Sequence, residues 1–160
     1  MNDVDILKKI EKKVLWLACW MIHNANHIRD NQDGLKVGGH QASSASIVSI
    51  MTALYFNILR PEDRVAVKPH ASPVFHAIQY LSGLQTKEKI ENFRGFGGAQ
   101  SYPSRTKDID DVDISTGSVG LGVAMTSFIS LIQDYVARKK FYKNKPLGRM
   151  IALVLSLIHI

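Results

Sequence analysis

The stretch RVAVKPHASPVFHAIQYLSG, residues 64–83, decides the fold. Its first four residues form a short run rich in β-branched side chains, which predicts a strand over 64–67. Ser72 is suited to cap a helix, Pro73 to occupy its first position, and Gly83 to end it. A strand that passes within a few residues into a helix is the repeating unit of α/β proteins, so we predict an α/β fold.

Helices surround this unit. Apolar residues at steps of three and four predict further helices, which span 4–23, 43 or 44 to 60, 86–94 and 119–140. On the last of these, five side chains are expected to face inward, namely Ala124, Phe128, Leu131, Ile132 and Tyr135.

One more strand and two long loops complete the predicted order. The apolar segment RMIALVL, residues 149–155, predicts a second strand. The segments 23–39 and 94–117 are rich in Gly, Asn or Asp, and most of each is predicted to be loop. A loop as long as the second in a compact domain is typical of a functional segment.

The composition is that of an ordinary soluble domain. The chain has 160 residues, of which 46% are hydrophobic and 21% charged. Its net charge is +6, and its basic residues are scattered along the sequence except for a cluster at 138–149. We expect no nucleic-acid binding, whereas an anionic small ligand is compatible with this charge. The single cysteine, Cys19, allows no disulfide framework and fits a cytoplasmic protein. The apolar run 14–22 is too short to span a membrane.

The segment GGHQASSAS, residues 38–46, is the first candidate site. Its two glycines allow a sharp turn close to a ligand. Its serines stand at a predicted helix start, where free backbone N–H groups favour an anion. His40 could hydrogen-bond or transfer a proton near neutral pH. The alternative is a turn and helix cap with an incidental histidine.

Two further segments have a similar setting. KPHASP places His70 after a strand and before a helix, where open α/β sheets bind ligands. DISTGSVGLGVA, residues 113–124, has glycines that open a helix but does not match the dinucleotide-binding fingerprint. Backbone near Gly117 and Val119 could approach a flat heterocycle. The alternative for KPHASP is an exposed histidine in a strand-to-helix turn. The alternative for residues 113–124 is close helix packing through small residues.

The other histidines favour structural interpretations. His23 and His27 are four residues apart and share a face if the first helix continues, but the sequence offers no third metal ligand. We predict that His76 is a semi-core histidine whose hydrogen bonds are satisfied.

Taken in order, GGHQASSAS, KPHASP and STGSVGLGVA resemble the thiamine-diphosphate-binding N-terminal region of the transketolase family. The similarity is greatest to the branch shared with the homodimeric pyruvate dehydrogenase component, in which NFRG and SYPSR also recur. It extends over about residues 14–154. Lys68 replaces a Gln of some pyruvate dehydrogenases, and GGHQAS differs from the GHPG of typical transketolases, which leaves the substrate open.

The resemblance implies roles for five residues. His40 resembles the histidine that reaches over the thiazolium ring and the substrate. Ser43 corresponds to a cofactor-contacting position, and His70 to the histidine beside the cofactor diphosphate. Gly117 and Val119 match the segment whose backbone meets the aminopyrimidine. His40 and His70 would then act as general acid/base or oxyanion-stabilising groups.

The resemblance also implies what lies outside this sequence. Mg²⁺ would bridge the diphosphate to a motif expected after Val154, so no metal ligand is assigned within the chain. The last six residues, LSLIHI, match the translation of a transposon adapter. We therefore expect residues 1–154 to be part of a parallel-sheet thiamine-diphosphate domain with long flanking helices, incomplete at its C-terminus, and 155–160 to be a read-through tail.

Several functions stay open on the sequence. The first is transfer of a two-carbon ketol unit between sugar phosphates, by a cytoplasmic homodimer of which this chain is an inactive fragment. The second is decarboxylation of pyruvate by a homodimeric pyruvate dehydrogenase component. A different phosphate-ester enzyme and a non-enzymatic anion-binding domain are the remaining alternatives.

Overall fold

The computed structural model describes residues 3–30, 34, 36–37, 41–117, 120–141 and 146–155. Their helices and strands are α1 Asp3–His23, α2 Gln41–Ala53, β1 Arg64–Ala66, α3 Ser72–Leu81, α4 Lys87–Glu91, α5 Leu121–Arg138 and β2 Met150–Ala152. None of these helices is long and apolar enough to cross a membrane. Helices that alternate with parallel strands agree with the predicted α/β class.

The sheet is small and parallel. Val65 of β1 pairs with Ile151 of β2, and on the other edge of β1 a single parallel bridge joins Ala66 to Ile114. Parallel strands require a crossover connection, which here contains α3, α4, the segment 94–117 and α5. The carboxyl ends of β1 and β2 consequently lie side by side at one end of the sheet.

The carboxylate of Asp63 fixes these two strands to each other. It accepts hydrogen bonds from the Arg149 backbone N–H at 2.7 Å and from the Arg149 guanidinium at 3.1 Å and 2.5 Å. The backbone N–H of Arg60 donates to the same carboxylate at 2.9 Å. These donors, above all the Arg149 side chain, hold the pKa of Asp63 well below its usual range.

The core lies where α1, α2 and α3 pack together. Their apolar faces contribute the fully buried Val14, Met21, Met51, Val74 and Phe75. Spacings of three and four residues along α1 and α3 account for this common face. The helices predicted for these segments are confirmed.

The helical backbone extends beyond the last α-helical residue of both α1 and α2. Each continues into one turn of π-helix, at Asn24–Ile28 and Leu54–Ile58. In the first of these turns, the Arg29 N–H donates to the Asn24 carbonyl oxygen at 2.8 Å. The segment predicted as loop over 23–39 therefore begins with a helical turn.

The prediction that α5 turns its apolar face inward is wrong. Thr126 is its buried residue, and the hypothetical Cβ of Gly122 would lie 3.5 Å from the Ala66 Cβ. All five side chains that were expected to face inward are exposed, namely Ala124, Phe128, Leu131, Ile132 and Tyr135. The helix packs on the narrow sheet through small residues, which leaves the large apolar ones uncovered.

Candidate functional site

A cleft lies where β1 and β2 end. Its volume is about 230 Å³, and it is lined by Ala66, Lys68, Thr116, Gly117, Gly120, Gly122, Val123, Leu153 and Val154. We call it the strand-end cleft. Ligands of open parallel sheets bind at the carboxyl ends of the strands, so this cleft is the first candidate site.

The segment before α5 forms one wall of the strand-end cleft. The Thr116 hydroxyl donates to the buried Val67 carbonyl oxygen at 2.7 Å, which fixes Gly117 beside the end of β1. Gly120 precedes α5 with a φ of +60°, in the left-handed region that favours glycine. Gly120 occupies the capping position and has no side chain that could cap the helix. The first N–H groups of a helix have no intrahelical acceptor, and here they belong to residues that line the cleft.

The connection from β1 to α3 contributes the cation of the site. Lys68 is only 5% exposed and lines the strand-end cleft. A turn of 3-10 helix, Pro69–Ala71, follows it and places Ala71 in the capping position of α3. Ser72 is therefore the first residue of α3 rather than its predicted cap.

His70 lies on the same connection but in a different cleft. Its side chain is buried, and its carbonyl oxygen accepts a hydrogen bond of 2.9 Å from the Ser44 hydroxyl of α2. This second cleft has a volume of about 370 Å³ and is lined by Pro69, His70, Ser72, Pro73, Phe93, Arg94, Ser101 and Tyr102. His70 and Gly117 thus lie at the same end of the sheet but line separate clefts.

Ser43 approaches the strand-end cleft from α2. It is half-buried and lines a shallow depression that also contains Val154. Val154 lines the strand-end cleft as well, so Ser43 and Gly117 flank the same residue. The remaining candidates, His40 and Val119, lie outside the described residues.

The two residues of the cleft with polar side chains, Lys68 and Thr116, were not predicted as site residues. The resemblance marks Lys68 only as a replacement for a Gln of some pyruvate dehydrogenases, and it assigns no role to Thr116. A signal for Lys68 was present, because it follows a buried strand within two residues. The Thr116 contact with Val67 joins positions 49 residues apart, and local sequence patterns do not contain such a contact.

A buried network holds the long loop 94–117 against α3. His76 lies with Nδ1 2.5 Å from a carboxylate oxygen of Asp110 and Nε2 2.6 Å from the Gln100 carbonyl oxygen. The Gln85 amide donates to the other oxygen of Asp110. His76 and Asp110 have fully buried side chains. The predicted hydrogen bonds of His76 are confirmed, and its ring is fully rather than partly buried.

Asp113 attaches the end of this loop to the edge of β1. Its carboxylate accepts a hydrogen bond from the Val65 backbone N–H at 2.9 Å and lies 3.4 Å from Arg64 Nε. Burial raises the pKa of Asp113, although these two neighbours oppose the shift. The contact is structural and positions the strand-like segment around Ile114.

The described residues contain no group of three or more His, Cys, Asp or Glu side chains that could hold a metal ion. His23 and His27 do share a face, as their spacing predicted, with ring centroids 4.9 Å apart. Both are exposed.

Comparison with known proteins identifies similar sequences but no matching family model. The chain is 30% identical to the pyruvate dehydrogenase E1 component of Mycobacterium tuberculosis over 132 residues, which is 76% of the chain. It is 30% identical to that of Pseudomonas aeruginosa over 149 residues, or 88% of the chain. The identity to the Escherichia coli K12 protein is 27% over 130 residues, or 76% of the chain.

These alignments cover a small part of each relative. They span 14% of the M. tuberculosis and E. coli proteins and 16% of the P. aeruginosa protein. Because these relatives are pyruvate dehydrogenase E1 components, the similarity supports the pyruvate dehydrogenase branch of the resemblance rather than transketolase itself.

Proposed function

We propose that this chain supplies part of the thiamine-diphosphate site of an enzyme that decarboxylates pyruvate. The observation that carries the proposal is the strand-end cleft, in which buried Lys68 and the glycine-rich start of α5 lie together. The chain in which they occur is 26–30% identical to pyruvate dehydrogenase E1 components. This similarity favours a 2-oxo acid substrate over the sugar phosphates of transketolases.

The strand-end cleft suits the anionic part of such a cofactor. Lys68 supplies a cation, and the first N–H groups of α5, which follow the capping residue Gly120, favour a bound phosphate. Gly117 and Gly120 place no side chain between backbone and ligand. We therefore assign this cleft to the diphosphate rather than to the whole cofactor.

The other candidates are assigned by the resemblance, and His70 lines the neighbouring second cleft rather than the strand-end cleft. When bound, thiamine diphosphate supplies a thiazolium carbon that adds to the substrate carbonyl and stores an electron pair. We assign proton transfer or oxyanion stabilisation to His40 and His70. Ser43 is assigned a cofactor contact from the α2 side, and backbone at Gly117 and Val119 a contact to the aminopyrimidine.

Metal binding and assembly are part of the same proposal. Mg²⁺ would neutralise the diphosphate and take oxygen ligands, from residues that follow Val154 in the family motif. A homodimer is proposed for the complete enzyme. The exposed apolar face of α5 supports an assembly, because large uncovered apolar patches mark interaction surfaces.

Backbone amide chemical shifts of the ¹⁵N-labelled chain test the cofactor site directly. Titration with thiamine diphosphate should shift the amides of Lys68, Gly117 and Gly120. Without the metal ligands, the affinity should be weak, with a Kd of roughly millimolar. The amides of α1 serve as an internal control and should not move. Shifts confined to surfaces away from the strand-end cleft, or none at several-fold higher ligand, would contradict the proposal.

Matched ligands and variants sharpen this test. Lys68→Met should weaken binding severalfold, because it removes the buried cation, whereas Lys107→Met removes an exposed lysine and should have no effect. Thiamine without its diphosphate should bind more weakly than thiamine diphosphate. If inorganic pyrophosphate binds as well as thiamine diphosphate, only the diphosphate contacts are supported, and the contact assigned to Gly117 and Val119 with the aminopyrimidine is wrong.

The substrate is tested in the complete enzyme. We expect release of CO₂ from pyruvate and no ketol transfer from a sugar phosphate. The opposite result would restore the transketolase interpretation while leaving the cofactor site intact.

A further inference from the structure

An apolar groove runs along α1 on the side that faces α3 and α4. It consists of two adjoining depressions of about 400 and 660 Å³, which share Trp16, Leu17 and Tyr80. We call it the tryptophan groove. Trp16 is 62% exposed, and its ring stacks on Trp20 with centroids 6.2 Å apart. A tryptophan left this exposed beside other apolar side chains is a typical anchor of a protein interface.

The rim of the tryptophan groove is basic. Lys12 and Lys13 line its wider part and are exposed, and neither forms an ion pair with the described residues. The nearby Glu11 is turned toward α2, where it accepts a hydrogen bond from Ser49. Lys87 and Glu91 at the other end form an ion pair of 3.5 Å and offset each other. The uncompensated charge of the groove is therefore positive.

The geometry points to an acidic amphipathic helix of a partner protein as the occupant of the tryptophan groove. Its apolar face would cover Trp16, Leu17 and Tyr80, and its carboxylates would lie over Lys12 and Lys13. A groove between packed helices is a recurrent receptor for such a helix, which binds through apolar residues at steps of three and four. This inference is independent of the proposed function, because the groove shares no lining residue with the strand-end cleft.

Charge also argues against a second copy of this chain as the occupant. The chain carries a net charge of +6, and a symmetric contact would bring Lys12 and Lys13 toward the same lysines of the other copy. Like charges brought together oppose association. An acidic partner converts the same lysines into favourable contacts.

The two tryptophans provide a built-in reporter, since the chain contains no others. In a Trp20→Phe background, Trp16 is the single source of tryptophan fluorescence. Two synthetic peptides of about 16 residues, or ~24 Å as a helix, share one apolar face and differ only in carrying Glu or Lys on the flanks. We expect the Glu peptide to shift Trp16 emission to shorter wavelength and to bind at least about tenfold more tightly than the Lys peptide. The preference should shrink at ~1 M salt, where the Debye length is about 3 Å.

Charge reversal provides the matched control. K12E/K13E should reverse the preference between the two peptides. K139E/K140E changes the net charge equally at the far end of α5 and should leave the preference unchanged. Trp16→Ala should weaken the Glu peptide about tenfold or more, as followed by anisotropy of a labelled peptide. Because Trp16 is largely exposed, this variant should keep the unfolding midpoint of the parent chain.

Three outcomes would overturn the inference. The first is equal binding of both peptides, or no response of Trp16 to either. The second is an unchanged preference in K12E/K13E. The third is a Trp16 that acrylamide cannot quench in the free protein, because the groove is then already covered by a second copy or by another part of the chain.

Discussion

Replacement of His76 by leucine is predicted to destabilise the chain by about 3–5 kcal/mol. Leucine is close to histidine in size, so the substitution leaves little cavity and removes mainly the two hydrogen bonds of the ring. The Asp110 carboxylate then loses its 2.5 Å partner, and the Gln100 carbonyl oxygen its 2.6 Å partner. The side chains of His76 and Asp110 are fully buried, so water does not replace the donor that Asp110 loses, whereas the contact with Gln100 is partly buried.

The magnitude follows from which group is left without a partner. A buried charge without its partner costs about 3–5 kcal/mol, and an unsatisfied buried carbonyl about 1–3 kcal/mol. The Gln85 amide still donates to Asp110, which keeps the expected total at about 3–5 kcal/mol rather than at the sum of the two ranges. Domains of this size are stable by about 5–15 kcal/mol, so the loss is a large fraction of the whole.

Urea unfolding of single and double variants measures this network. In His76→Leu/Asp110→Leu neither partner of this contact remains, and the double variant should cost less than the sum of the single ones by about 1–3 kcal/mol. His23→Leu, at an exposed histidine, should change stability by no more than about 0.5 kcal/mol. The network would be shown not to stabilise the fold if His76→Leu cost under ~1 kcal/mol or if the two substitutions were additive.

Other predictions test the rest of the fold. Gly120→Ala should cost about 1–2 kcal/mol in urea unfolding, because a Cβ at a φ of +60° is strained; an unchanged midpoint would contradict this geometry. The pKa of Asp63 is lower in the folded state, so its contribution to stability is complete above the ordinary carboxyl value of about 3.9 and is lost as the pH falls through the folded value. The unfolding midpoint of Asp63→Asn should therefore vary less with pH below about 4 than that of the parent. Phe128→Ser and Leu131→Ser should reduce light scattering and dye binding without loss of stability, since both residues are more than half exposed.

Local signals allowed β1 and α3 to be predicted from the sequence. A β-branched run, Pro73 at a helix start and Gly83 after its end act within a few residues, and the strand and helix form where these signals place them. α1 was predicted for the same reason, since its apolar spacing matches the face buried against α3. The π-helical turns after α1 and α2 have no such signal, because their hydrogen bonds differ from those of an α-helix by one residue.

The candidate site depends on contacts between distant positions, and the sequence predicts less of it. Lys68 enters the strand-end cleft because β1 pairs with β2, about 85 residues later in the chain. The Ser44 bond to His70 spans 26 residues. Gly117, His70 and Ser43, which the motifs singled out, all lie at one end of the sheet. The motifs did not show that His70 and Gly117 line separate clefts, so their joint action on one cofactor stays a prediction.

The helix α5 shows why a correct helix can be given the wrong orientation. Its apolar spacing correctly predicts a helix, but apolar residues lie on more than one of its sides. The sheet beneath it has two strands and one bridge among the described residues, a surface that Gly122 and Thr126 suffice to cover. Small residues allow the closest approach of helix to strand, so they occupy the buried side and the large apolar residues are turned outward. The periodicity of α5 thus indicates an apolar face. The sheet is too narrow to cover that face, so its large side chains stay exposed among the described residues.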